Sequence, residues 1–198
     1  MFTIILAGCL YEFFKVIKKI NPDKQLKYFL FSIIYIVLPI LLMIDLGINY
    51  DHYTAQNNQN NDLYFPLFPS VIIFSIWIND TMAYIVGSIA GKTQLTKISP
   101  NKTWEGTIGG ALLCVILISL LSQFVLPAQK ISIYHWMHIA IICALFGTLG
   151  DLLESKLKRM AAIKDTGSLM PGHGGFLDRF DSLLVATPFV WLYINMFL

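Results

Sequence analysis

Apolar residues in this chain come in long stretches rather than at the two-residue or 3.6-residue period of half-buried strands and helices. Tyr28 to Ile48, Pro66 to Ala90, Trp104 to Leu126 and Tyr134 to Leu153 are each close to the roughly 20 mostly apolar residues that carry a helix across a bilayer. Ser182 to Leu198 is shorter but holds no charge. The opening stretch, Met1 to about Ile20, is also apolar but interrupted by Glu12 and Lys15. It reads as a sixth helix, expected to lack its N-terminal part. It is not read as a secretory signal, because no basic residue precedes it and no small-residue cleavage site follows. The pattern predicts an all-α, polytopic membrane helix bundle of about six transmembrane helices. It divides near Pro66: residues 1–65 give N-terminal membrane helices and an external polar loop, and 66–198 give the membrane domain that carries the chemistry.

Composition agrees. The chain is 56% hydrophobic and 13% charged, against about half and about a quarter in soluble domains. Cys9, Cys114 and Cys143 sit in apolar spans without metal or redox spacing and read as core filler. A net charge of +2 says little by itself, and no nucleic-acid partner is expected.

The placement of charge orients the bundle. Lys15, Lys18, Lys19, Lys24 and Lys27 fall between the first two spans, and Lys92, Lys97 and Lys102 between the third and fourth. Lys156, Lys158, Arg159, Lys164 and Arg179 fall between the fifth and sixth, which leaves only Lys130 of the 14 basic residues on the other side. Short loops rich in Lys and Arg stay in the cytoplasm, so these three are predicted to be cytoplasmic, with both termini outside. The Asn- and Gln-rich loop Tyr50 to Leu63 reads as an external connector.

The richest chemistry follows the fifth span. Gly150-Asp151-Leu152-Leu153-Glu154-Ser155-Lys156-Leu157-Lys158-Arg159 reads as a loop, followed by Lys164-Asp165-Thr166-Gly167 and Pro171-Gly172-His173-Gly174-Gly175-Phe176-Leu177-Asp178-Arg179-Phe180-Asp181. A solvated basic loop explains the charges but not the glycine run, which is costly unless backbone must turn or approach something closely. Mg²⁺ binds through one or two carboxylates together with substrate phosphates. Asp151, with Asp178 and Asp181 on one face of a helix start, supplies carboxylates. Lys158, Arg159, Lys164 and Arg179 then meet phosphate charge. Asp165 and His173 complete the catalytic candidates, with the role of His173 left open among phosphate contact, loop support and proton transfer.

A second constellation lies upstream. Asn79-Asp80 and Tyr84 sit inside the third span, where an ionisable group is a functional candidate by default; the alternative is a buried Asp80 bonded to a neighbouring helix. Lys92, Ser99, Lys102, Thr103 and Glu105 then offer donors and charge beside a helix start, a place that favours anions. With Asp80 and Tyr84 they form the candidate substrate-binding set. Gly106-x-x-x-Gly110 reads equally as close helix packing or as a substrate contact. Gly87 to Thr93 is one residue short of a phosphate-binding P-loop and follows no strand.

Ser155-x-Leu157-Lys158-Arg159-x4-Lys164-Asp165-x-Gly167-x2-Met170-Pro171-x-His173-Gly174-Gly175-Phe176-x-Asp178-Arg179-Phe180-Asp181 resembles the signature of the phosphatidate cytidylyltransferase family, with Met170 the one departure. The similarity extends from about Phe74 to the C-terminus. It implies a nucleotidyltransferase of the bacterial inner membrane, dimeric, with its active site facing the cytoplasm, that joins CTP to phosphatidic acid and releases pyrophosphate. It further implies that Asp151 and Asp178 hold Mg²⁺, with a second cation allowed for, and that Ser99 to Thr103 help bind substrate. Fewer spans precede Pro66 than the family has, so a naturally short or truncated member is expected. A transporter in which Asp80 lines an ion path would leave the glycine-rich basic stretch unexplained.

Overall fold

Helices account for nearly all the regular structure in the computed structural model, which describes residues 2–20, 25–48, 66–167 and 174–198. They are α1 (Phe2–Ile20), α2 (Gln25–Ser32), α3 (Leu38–Ile48), α4 (Leu67–Ala90), α5 (Trp104–Ser122), the single turn α6 (Leu126–Gln129), α7 (Ile133–Met160) and α8 (Leu177–Phe197). A π-helical segment, Ile33–Val37, joins α2 to α3. Pro39 has no N–H to offer the preceding turn, and the ladder is rerouted so that the Leu38 N–H reaches back to the Ile33 carbonyl. The predicted external loop, Tyr50 to Leu63, and His173 lie outside the described residues.

Among the described residues, five helices are long and apolar enough to cross a membrane: Tyr28–Ile48, α4, Trp104–Leu121 within α5, α7 and α8. The protein is an integral membrane protein. Of the six expected spans, α1 is helical but falls outside this group, since Glu12, Lys15, Lys18 and Lys19 break its apolar run. The outer surface matches a lipid solvent: Phe74, Trp77, Ile89, Leu112, Ile116, Leu145 and Leu149 are all exposed.

One helix end differs from the expected boundary. Gly150 to Arg159 is not a loop: α7 runs past Leu153 to Met160. Leu, Glu, Lys and Arg are strong helix formers, and Glu154 and Lys158 form an i,i+4 ion pair on that helix. The helix ends where Ala162 takes φ 52° and the Ile163 N–H closes back on the Lys158 carbonyl at 3.0 Å. At the other boundary α8 begins at Leu177, ahead of the uncharged span from Ser182, and Asp178 and Asp181 occupy its first turns as the helix-start reading expects.

Two antiparallel pairs make the frame. In α4–α5, Cys114 Sγ donates to the Ser75 carbonyl at 3.2 Å. Nearer the connecting loop, a Cβ on Gly106 would come 2.7 Å from the Ala83 carbonyl and one on Gly110 2.7 Å from the Ala83 Cβ. The Gly106-x-x-x-Gly110 spacing therefore serves close helix packing. In α7–α8, Phe146 stacks on Phe189 with ring centres 3.6 Å apart. Met43, Phe68, Ile72, Trp136, Ile139 and Val190 form the core between the pairs. A second cluster, including Cys9, Phe13, Tyr35, Ile36, Ile40 and Leu184, seats α1 and the π-α3 segment on α8.

Candidate active site

The C-terminal end of α4, the start of α5, the last turns of α7 and the first turns of α8 come together at one end of the bundle. The connection between α4 and α5 is fastened at both ends. The Glu105 carboxylate accepts the Lys92 N–H at 3.2 Å and the Thr93 N–H at 3.1 Å. Across the loop, Gln94 and Thr103 form an isolated antiparallel bridge, and the Leu95 N–H donates to the Lys102 carbonyl at 2.8 Å. Thr103 caps α5, its Oγ1 accepting the Gly106 N–H at 3.1 Å. The fastened loop carries Lys102 to α7, where its Nζ pairs with Asp151.

Beside this pair lies a cavity of about 230 Å³ lined by Asn79, Asp80, Ala83, Lys102, Thr103, Thr107, Thr148 and Asp151. Four predicted site residues, Asp80, Lys102, Thr103 and Asp151, thus share one space although they come from three separate stretches of chain. Tyr84 is 77% exposed and does not line it. Lys92 and Ser99 belong to the loop and Glu105 to the first turn of α5, all outside the cavity wall.

Asp151 also belongs to a group of carboxylates. One oxygen each from Asp151, Glu154 and Asp181 lies within 4.8 Å of the other two. The i,i+3 spacing puts Asp151 and Glu154 on the same side of α7. Gly150 lets α8 come close, since a Cβ there would sit 2.9 Å from the Ser182 Cα. Glu154 is 1% exposed, and its Oε1 has no hydrogen-bond partner among the described residues. Three hard oxygen donors, one of them buried and unsatisfied, fit a divalent cation of the Mg²⁺ type.

Asp178 stands next to this group rather than in it. Its Oδ1 accepts Lys158 Nζ at 2.9 Å. Its Oδ2 accepts the Gly175 N–H at 2.8 Å, the Thr166 N–H at 3.0 Å and the Thr166 hydroxyl at 3.0 Å. Lys158 pairs with Glu154 as well, so Glu154 and Lys158 link the two aspartates named together in the sequence reading. Gly174, at φ 81°, takes the left-handed turn that brings Gly175 round to Asp178.

The remaining candidates sit further out. Arg159 Nε reaches the Ile98 carbonyl at 3.5 Å, a long contact that ties α7 to the α4–α5 loop. Lys164, Asp165 and Arg179 are exposed, and Asp165 lines a separate polar cleft with Lys15, Lys19 and Thr166.

Residues 1–197 match the model of the Cytidylyltransferase family. The chain belongs to that family. It is 45% identical over 124 residues to the phosphatidate cytidylyltransferase of Bacillus subtilis, a match covering 62% of this chain and 45% of that protein. It is 40% identical over 143 residues to the phosphatidate cytidylyltransferase of Staphylococcus haemolyticus, covering 72% of this chain and 52% of that protein. The chain thus spans about half the length of the curated relatives it matches. The family match begins at residue 1, so α1 lies inside the cytidylyltransferase region.

Some residues of this candidate site are not among the predicted ones. Glu154 could have been found from its spacing, three residues after Asp151 and four before Lys158 on one helix. Asn79 adjoins Asp80, is 3% exposed, and leaves its Oδ1 unpartnered at the cavity. Thr166 and Glu12 gave no local signal of a shared role, because they are distant in sequence and meet only in the fold.

Proposed function

We propose that this cytidylyltransferase-family chain transfers the cytidylyl group of CTP to phosphatidic acid, giving CDP-diacylglycerol and pyrophosphate. The observation that carries the reading is the shared position of Asp151, which faces the cavity with Asp80, Lys102 and Thr103 on one side and meets Glu154 and Asp181 on the other. A triphosphate and a phosphomonoester are both anions, so the protein must chiefly align them and offset their charge. The resemblance to enzymes named phosphatidate cytidylyltransferase supports the choice of acceptor.

In this reading a phosphatidate oxygen attacks the α-phosphorus of CTP while the bond from that phosphorus to the β-phosphate oxygen breaks, and the electron pair leaves with pyrophosphate. A divalent cation bound at the carboxylates supplies charge neutralisation for the triphosphate and the leaving group. Asp151 serves in either ligand set, with Asp178 as the resemblance implies or with Glu154 and Asp181 as their closeness favours. Lys102 lies on the cavity wall, where its ammonium can exchange Asp151 for a substrate phosphate. Lys158 holds Glu154 and Asp178 in place, while Asp80 and Asn79 offer polar groups to the part of the substrate deepest between the helices.

The same reading places the site at the cytoplasmic side of a bacterial inner membrane, following the basic loops, and takes the working form as a homodimer. Purified protein in liposomes containing phosphatidic acid tests it. Release of pyrophosphate that requires CTP and Mg²⁺ and stops on chelation is the expected result. Release of CDP with a phosphorylated lipid would replace the assignment with a CTP-dependent kinase.

A further inference from the structure

Glu12 is a carboxylate on the buried face of α1, 1% exposed, and the reaction as described has no use for it. Its Oε2 accepts the Leu177 N–H at 2.9 Å and lies 3.0 Å from the Thr166 hydroxyl, whose single proton it shares with Asp178 Oδ2. Both partners adjoin Asp178. Thr166 is the residue whose N–H and hydroxyl each reach Asp178 Oδ2 at 3.0 Å. Leu177 opens α8 immediately before Asp178, and the N-cap residue of that helix, Phe176, provides no side-chain cap. The open N–H groups at a helix start need acceptors and favour negative charge; at α8 that acceptor comes from a different helix.

The packing is built around this carboxylate. A Cβ on either Gly167 or Gly175 would come 2.6 Å from the Glu12 carboxyl carbon, so the two glycines mark the room that Glu12 occupies. One turn earlier on the same face of α1, Gly8 makes space for Phe176: a Cβ there would lie 2.7 Å from the ring Cγ. Helix α1 thus presents a bare turn and then a carboxylate to the segment that starts α8.

We propose that Glu12 is a positioning residue for this site: from α1 it caps α8 and holds the Thr166 hydroxyl, keeping the Thr166 N–H and the Gly175 N–H aimed at Asp178. The consequence for activity rests on the cytidylyltransferase reading above, whereas the consequence for local order rests on the geometry alone.

The test compares wild type with Glu12→Ala, Glu12→Gln and Glu12→Met, the last filling the space without an acceptor, in the full chain. Amide hydrogen exchange at Thr166, Gly175 and Leu177 should rise at least about tenfold in Glu12→Ala and Glu12→Met, with α4, α5 and the middle of α7 unchanged. In the CTP assay kcat should fall about 10- to 100-fold, as for partners one step removed from a ligand set. KM for CTP and phosphatidate should stay near wild type, and Glu12→Gln, which retains a carbonyl acceptor, should recover most of kcat. Loss of a merely structural contact would raise exchange throughout the bundle and leave kcat per folded molecule intact. Unchanged protection at Thr166 and Leu177 in Glu12→Met overturns the proposal, and that variant decides the matter if Glu12→Ala does not fold. A wild type without CTP-dependent pyrophosphate release would sink the reaction assignment instead, and the exchange data would still judge Glu12.

Discussion

Lys102, on the loop between α4 and α5, forms an ion pair with Asp151 of α7. The pair closes one side of the cavity and neutralises a carboxylate that also belongs to the three-acid group. A lysine ammonium and a divalent cation therefore compete for Asp151. The side chains are 26% and 29% exposed, and a pair so open to solvent is worth under about 1 kcal/mol. Lys102→Met should tighten divalent-cation binding by no more than about fivefold, measured by Mn²⁺ titration, while slowing cytidylyl transfer because the phosphate partner is gone. Equal weakening of both would show that Lys102 only supports the fold.

Asp178 accepts the Thr166 N–H, the Gly175 N–H and the Lys158 ammonium, and shares the Thr166 hydroxyl proton with Glu12. Asp178→Ala should remove activity by at least about 100-fold, in the range for loss of one preorganised electrostatic contact. The helix content by circular dichroism should stay at the wild-type level. Full transfer activity in that variant would refute a role for Asp178 in the site.

Lys158 is 17% exposed and sits between Glu154, 1% exposed, and Asp178, 10% exposed. Removing the cation from such a group leaves two carboxylates uncompensated in a low-dielectric setting. Lys158→Met should therefore cost about 3–5 kcal/mol of stability, read as a lowered unfolding midpoint in detergent. The double variant Lys158→Met with Glu154→Gln should recover part of that loss, since one of the two stranded charges is gone.

Gly110 packs on the backbone of Ala83, and a Cβ there would come 2.7 Å from its nitrogen. Gly110→Val should push α4 and α5 apart at a cost of about 1–3 kcal/mol. Because the same two helices carry Asp80 and Thr103 to the cavity, KM should rise with the loss of stability. A variant as stable as wild type would show that the contact yields at little cost.

The bundle was legible because a bilayer imposes a simple rule on composition: a long, continuously apolar run becomes a helix, the one form in which a single segment satisfies its own backbone groups in lipid. Helix ends were less legible. Charged residues after Leu153 look like the start of a loop, yet they continue α7 because Glu154 and Lys158 satisfy one another on the helix surface. The glycines of Gly106-x-x-x-Gly110 could not be assigned from spacing alone, since helix contact and ligand contact both call for a missing side chain; the approach of Ala83 resolves them.

For the site, residue types alone marked Asp80, Lys102, Thr103, Asp151 and Asp178 as candidates, because carboxylates, bases and glycines crowd the ends of spans where apolar residues would be expected. Which of these meet was decided in three dimensions. Glu154 joins Asp151 and Asp181 because Gly150 admits α8, and Tyr84 faces outward although it shares a helix with Asp80. Glu12 reaches Thr166 and Leu177 across most of the chain. Sequence records the period of one helix, whereas the contact between two helices depends on their relative rotation and approach, and only packing fixes those.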